Sequence, residues 1–545
     1  MSMNDFAKTA AALVIAAGLA GAAYMSAPKP VTDAAFSDQG EMFFPAFTDP
    51  LAAKSLEVLS YDDATATLTP FKVQFDGARW VIPSHHNYPA DAQANMSSAA
   101  SAFIGLKKDA VRTDKASDHQ VLGVLAPDDD KAPLSGRGTR VTLRNAAGET
   151  LADLIIGKAV EGGSVGGQVY ARVPGKNRVY AVNFTKAITS KFSDWVQTDV
   201  LKIGGANVVG FEVDRYQIDE QAGTKVTTET VSIRKAEETT PPAPASPDAP
   251  APTPPRWTFT AQPGGGPKPG ETPNEAPIDN AVGALRTMKI LGVRPKPEKV
   301  VKYFESGGPG GGVKLNSLDL MGMVSKGFFA TQDNKFLANE GEVGVTCDDG
   351  VVYRMYFGEL LVASGEALSA GSDSVGAPGA DATKEGSTKE DPKGTEARYM
   401  LATVSFDESL LGKAPVAPVA PTAPEGFDAA APAADGDPQP VKDYRAAKAK
   451  YDADQAAYLQ AANEHRARVD NGKKRADDLR KSLANWYYVI DAPSFAMLRP
   501  KREDLIVKPA TAQAAPAAPQ GAPAGTPMGE PAPASPAPAA PAPTP

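Results

Sequence analysis

Apolar and polar positions alternate with a period of two in short runs along this chain, and the runs recur in one order. Leu56–Ser60 and Phe71–Phe75 read as paired strands. Arg79-Trp80 follows in a further strand. The stretch from Asn95 then shifts to helical spacing, with Ala99, Ala102, Phe103 and Leu106 on one stripe. A hairpin comes next over Val141–Lys158, turned at Asn145–Gly148. A second closes at Pro174–Asn177, and on its return arm Val179 and Ala181 face one way, Tyr180 and Val182 the other. A short helix over Phe184–Gln197 and the run Asp199–Ile203 complete the unit.

The same order begins again at once. Gly210–Arg215 and Lys225–Lys235 read as strands, Arg256-Trp257 as another, and Asp279–Val293 as a helix with Val282, Leu285, Met288 and Leu291 on its apolar stripe. The hairpin Val345–Leu360 turns at Asp348–Gly350. Ala397–Phe406 supplies the first arm of a closing hairpin, and its second arm is expected only at Asn485–Val507. Strand, strand, Trp, helix, hairpin therefore occurs twice, which predicts an internal duplication. The turns are too short for parallel crossovers, so each copy is expected to be a mainly antiparallel sheet covered by a helix, an α+β fold. Arg398–Val404 is expected to pair with Trp486–Ile490, since doubling a loop adds only about 0.6 kcal/mol of closure cost.

Composition sets the boundaries. Module one is expected over 51–204 and module two over 205–507. Module two carries inserts at 239–255 (Pro/Ala-rich), 369–395 (Gly/Ser/Asp/Lys-rich) and 416–483. The last insert joins an Ala/Pro tether to a charged run, Val441–Leu483, read as a long, mostly exposed helix or helical pair. It has too few large apolar residues for a regular coiled coil. Residues 509–545 read as a disordered Pro/Ala-rich tail. At the other end Thr9–Met25 is apolar and uncharged, with Lys8 before it and Lys29 after. It reads as a transmembrane anchor or a signal segment over 9–25, behind a short cytoplasmic tail of residues 1–8. Either reading puts the body outside the cytoplasmic membrane, and the anchor makes it a single-pass protein. The aromatic cluster Met42–Phe47 packs on module one or lies near lipid.

Charge and chemistry narrow the function classes. A formal charge of −9 gives no basic face for nucleic acid. The single cysteine, Cys347, excludes an intrachain disulfide and reads as a small buried hydrophobe. Of four histidines, His85-His86 with Asp91 nearby is the one metal candidate. Adjacent side chains diverge, and no further ligand has zinc spacing. His119 completes no set, and His465 is expected on the exposed helix. Gly307–Lys314 lacks the Ser/Thr of a phosphate-binding loop and reads as a flexible loop. Asp128, Asp129 and Asp130 read as a charged loop, and Ser306 lacks the setting of a nucleophile. No catalytic, cofactor-binding or metal residue is assigned, and no cofactor is expected. Trp80 and Trp257 are expected as core anchors in matched places, with a ligand groove between strand and helix as the other reading.

The Arg79-Trp80 strand, the helix at 95–106, the hairpin of Val141–Lys158, the hairpin from Tyr170 and Arg172 to Val182, and the ending Trp195–Leu201 together resemble the bacterial family of domains of unknown function DUF4340. The resemblance covers module one over roughly 70–201, with module two as a diverged copy. Members of that family are found beside ABC-type export systems of the gliding-motility kind, and no catalytic role is established for them. The resemblance therefore implies a non-catalytic, membrane-anchored accessory or scaffold protein, with membrane transport or envelope proteins as partners. The alternative is an extracytoplasmic binding protein for a small molecule or envelope polymer, with its groove between the modules. An unrecognised hydrolytic enzyme is the third class. Oligomeric state is not fixed by the sequence.

Overall fold

The computed structural model describes residues 3–26, 38–63, 66–161, 167–184, 186, 188–204, 207–219, 224–236, 256–260, 271–308, 311–331, 336–371, 394–430, 432–434 and 436–507. The insert at 239–255, nearly all of the insert at 369–395 and the tail at 509–545 lie outside the described residues.

After helix α1 (Met3–Ser26), the first sheet is built from β1 (Ser55–Asp62), β2 (Thr67–Phe75), β3 (Trp80–Ile82), β4 (Tyr88–Pro89), β5 (Ala110–Thr113), β6 (Thr139–Arg144), β7 (Thr150–Ala159), β8 (Gln168–Arg172) and β9 (Val179–Asn183). Its spatial order is β4-β3-β2-β1-β6-β7-β8-β9-β5. Helix α2 (Gln93–Phe103) covers it and the one-turn α3 (His119–Leu122) flanks it. The second sheet uses β10 (Val208–Asp219), β11 (Thr224–Lys235), β12 (Trp257–Phe259), β14 (Ile290–Pro295), β17 (Glu342–Cys347), β18 (Val351–Ala363), β19 (Thr395–Phe406) and β20 (Trp486–Asp491). Two small ribbons sit beside it, β13 (Thr272–Pro273) with β21 (Ile506–Val507) and β15 (Phe328–Ala330) with β16 (Phe336–Ala338). Its helices are α4 (Glu275–Thr287), α5 (Glu298–Glu305), α6 (Ser317–Val324), α7 (Gly365–Ser369), α8 (Gln439–Ala484) and α9 (Ala492–Leu498).

The second sheet runs β12-β11-β10-β17-β18-β19-β20-β14. Laid on the first, β12 falls on β3, β10 on β1, the hairpin β17–β18 on β6–β7, and β14 on β5. The two tryptophans then coincide, each on the short strand after the first hairpin. Each indole N–H donates to the covering helix: Trp80 Nε1 to Gln93 Oε1 at 3.2 Å, Trp257 Nε1 to Asp279 Oδ1 at 3.3 Å. Trp257 is buried and Trp80 only half-buried. The split hairpin closes as its alternation requires, with Arg398 opposite Ile490 and Met400 opposite Tyr488. These are two mainly antiparallel sheet-and-helix modules, and one apolar core runs through both.

Several expectations change. The membrane span is overturned: among the described residues no helix is long and apolar enough to cross a membrane. Helix α1 has 24 residues, but its apolar stretch Thr9–Met25 has 17, below the roughly 20 a bilayer needs. Ten of those 17 are Ala or Gly, which bring little apolar surface. The single-pass topology, the membrane contact through this helix and the cytoplasmic-membrane location fall with it. The helix expected over 279–293 starts at Glu275 and stops at Thr287, because Met288 turns extended and the β-forming run Ile290–Pro295 pairs with β20. Among the described residues of 184–197, where a short helix is expected, the structure has a single 3-10 turn, Phe192–Asp194.

Helix α8 is not held away from the body. Its C-terminal half buries Val469, Gly472, Ala476, Leu479 and Leu483 at helical spacing, three of them in the shared core. Gly472 makes this possible, since a Cβ there would lie 2.4 Å from the Asp349 carbonyl oxygen and 2.5 Å from the Phe406 ring. The Met42–Phe47 cluster packs on module one. Phe43 meets Tyr180 edge-on at 5.1 Å and Phe44 meets Phe103 at 6.0 Å.

Candidate functional site

Where the modules meet, the segment Pro83–Pro89 forms the seam. Pro83–His85 makes one 3-10 turn, and the chain then passes through two consecutive left-handed residues, His86 at φ 57° and Asn87 at φ 58°. Neither is glycine, so the conformation costs on the order of 1 kcal/mol or more per residue and must be held by its surroundings. Pairing of β4 with β3 fixes one side, through Ile82 opposite Tyr88. A hydrogen bond between His86 Nε2 and the Ala370 carbonyl oxygen, 3.0 Å, fixes the other across the seam.

The two histidines point to different places. His85 is buried, stacked on Phe192 at 4.6 Å, with Nδ1 3.0 Å from Ser84 Oγ and, among the described residues, no partner for Nε2. Burial first, then the neighbouring charges of His86 and Arg294, pushes its pKa down to about 4. It lines a cavity of about 380 Å³ whose far wall is Lys289, Leu291 and Leu368 of module two. His86 lines a second inter-module cleft of about 520 Å³, within the range of small-molecule sites.

That second cleft draws on four separate stretches. The residue before β3 is Arg79, the seam gives His86, Asn87 and Tyr88, and the end of module one gives Gln197 and Lys202. The end of α8 gives Ser482, the start of β20 gives Trp486 and Tyr488, and Asn485 lies between them. Lys202 is a third non-glycine residue in left-handed backbone, at φ 50°. Its turn is held by Asp199, whose carboxylate accepts from the Ile203 and Gly204 amides, both at 2.9 Å. Arg475 of α8 donates to the Lys202 carbonyl at 2.9 Å, so the long helix pins the cleft's rim. Tyr88 meets Trp486 edge-on at 5.0 Å and shares a hydrogen bond with the buried Tyr488 hydroxyl. Burial raises the pKa of both tyrosines, so both are neutral donors and acceptors. Three of the four non-glycine left-handed residues of the described chain thus lie on one cleft. Backbone strain gathers at sites that do something other than fold.

A third, wider bowl of about 1010 Å³ lies on module two, between α5, the β15–β16 ribbon and α8. Its cations are already committed, Arg354 to Glu342, Lys225 to Asp214, Lys473 to Glu408 and Arg480 to Asp477. Gly307 and Gly308 reach its edge, but they serve the end of α5, where the Gly308 amide donates to the Tyr303 carbonyl at 2.9 Å. Residues 309 and 310 lie outside the described chain.

The other sequence candidates are scattered. His119 is buried, with Nε2 2.8 Å from the Asn177 carbonyl oxygen, and His465 sits on α8 far along the chain. Asp128 pairs with Arg140, and Asp129 accepts from the Lys131 amide. Cys347 is buried, and burial pushes its thiol up to about 12. Among the described residues no three His, Cys, Asp or Glu side chains are grouped to hold a metal ion. Of the cleft's residues the sequence pointed to His86 and the Arg79 strand. Lys202, Asn485 and Trp486 carry no local motif, and only the packing of the modules brings them together.

The family described as Domain of unknown function (DUF4340) matches residues 80–303, so the chain contains a DUF4340 domain. The match starts at Trp80 in β3 and ends at Tyr303 in α5, crossing the seam instead of stopping with module one. No curated protein and no solved structure matches the chain.

Proposed function

We propose that this DUF4340-containing chain is an extracytoplasmic binding module, without catalysis of its own, that takes a small molecule or a segment of envelope polymer in the cleft between its modules. The observation that carries this is the convergence of strained backbone on that cleft: His86, Asn87 and Lys202 are all held left-handed along its wall. Amide, hydroxyl and aromatic side chains line it, groups suited to recognition of a polar ligand. An accessory role beside an export system is what the family resemblance implies, but the cleft favours the binding reading.

The test is retention of envelope material. Purified full-length chain, immobilised, is offered cell-wall and lipid fractions and a small-molecule extract, beside a Ser482→Trp variant. Ser482 lies on an exposed face of α8 at the cleft, so the indole fills the site without entering the core. Binding to at least one fraction that the variant loses supports the reading. A flat response across all fractions, or equal retention by the variant, overturns it.

A further inference from the structure

We infer that the inter-module cleft is selective for an anionic, polyhydroxylated ligand, an acidic sugar. This rests on the binding reading above. Among the described residues the charged side chains that line the cleft are cationic, Arg79 and Lys202, and no carboxylate lines it. Among the described residues Lys202 makes no ion pair. The Arg79 guanidinium has, among the described residues, one long ion pair of 3.9 Å, with the exposed Asp76, whose carboxylate is already taken up by the Ala78 and Arg79 amides at 2.9 Å. The bowl on module two shows the contrast, since each of its cations already has a carboxylate. A cleft of one sign, walled by protein, concentrates potential and favours the opposite charge.

The uncharged lining suggests what the anion is attached to. Asn87, Gln197 and Asn485 present side-chain amides, which both donate and accept, although the Asn485 amide nitrogen already gives one hydrogen bond to the Lys481 carbonyl at 2.8 Å. That set matches neighbouring hydroxyl groups, which also donate and accept. Trp486 is partly exposed at the cleft and offers apolar surface to the C–H face of a sugar ring. Tyr88, the next aromatic, is buried and turned edge-on to Trp486. The two rings therefore do not form the parallel slot that would clamp a nucleobase.

Titration calorimetry on the full chain tests this with three probes: tetragalacturonate, tetragalactose as the same skeleton without carboxylates, and uridine monophosphate. Tetragalacturonate is expected to bind at least about tenfold more tightly than tetragalactose, as one charge-assisted hydrogen bond allows. The margin shrinks as salt rises, because the rim charges are solvent-exposed. Lys202→Met keeps a side chain of similar length at the same backbone angle. It is expected to lose about tenfold on the acidic sugar and little on the neutral one, with thermal unfolding unchanged. Equal affinity for the two sugars overturns the anion selectivity and leaves the binding reading standing. Preference for the nucleotide overturns the sugar assignment. Envelope fractions retained by the cleft while none of the probes binds overturn the acidic-sugar inference alone, and loss of both removes the binding reading as well.

Discussion

His85 should make the seam between the modules sensitive to acid. The residue is 4 % exposed, its ring is stacked on Phe192, and burial pushes its pKa down to about 4 from an ordinary 6.5. The folded chain therefore holds it neutral where the unfolded chain protonates it. For a group depressed on folding, stability is full above the unfolded value and is lost as pH falls from 6.5 towards 4. Those two values are about 2.5 units apart, which at about 1.36 kcal/mol per unit gives a loss of about 3 kcal/mol by pH 4. His85→Phe keeps a ring on Phe192 and removes the titration. Urea unfolding of both proteins at pH 7.5, 5.5 and 4.0 reads the effect. Every other titrating group is common to the two, so the difference in slope belongs to His85. The native protein should lose about 3 kcal/mol more than the variant between pH 7.5 and 4.0. Parallel pH profiles would refute the reasoning, since a buried, neutral His85 could not then be the source.

The buried Lys296 has its side-chain nitrogen 3.2 Å from the Leu483 carbonyl oxygen, between the rings of Phe304 and Tyr487, and burial holds its pKa well below the usual value. Lys296→Met should raise stability in urea at pH 7 by about 1 kcal/mol or more, because a buried amine is costly to keep; a loss of stability would contradict this. Gly472→Ala should destabilise by about 1–2 kcal/mol, the clash with Asp349 and Phe406 outweighing a helix-propensity gain of up to about 1 kcal/mol. Limited proteolysis of α8 reads that change as faster cleavage. Trp257→Phe should cost about 1–2 kcal/mol, through its buried indole bond to Asp279, and Trp80→Phe under about 1 kcal/mol, with thermal or urea unfolding as the check.

The sheets were legible because their information is local. Alternation in Val179–Val182, the turn at Asn145–Gly148 and the recurrence of a strand tryptophan before a helix need no knowledge of distant residues. The pairing of Arg398 with Ile490 was legible too, because one arm lacked a partner nearby and only one later segment had the matching alternation. Helix α8 was read as detached because its charged residues dominate its composition. What docks it is a narrow line of Gly472, Ala476, Leu479 and Leu483, small enough to let the helix lie against the sheet. Segment Ile290–Pro295 kept helical spacing in the sequence, yet its strand was decided by the free edge of β20. The cleft was the least legible part. His86 was weighed in the sequence only as half of a His-His pair, whereas the structure shows it holding a left-handed turn through the Ala370 carbonyl. Lys202 and Trp486 lie nearly three hundred residues apart and become neighbours of one cleft only once both sheets have formed.

Hydrogen exchange of the full chain, with and without the envelope fraction that it retains, tests the central claim most directly. Binding between the modules predicts slower exchange together at Tyr88–Ala90, in the turn around Lys202 and at Asn485–Tyr488, with the outer face of the second sheet unchanged. Protection confined to the bowl between α5 and α8, or no change at the cleft while the fraction is bound, would contradict it.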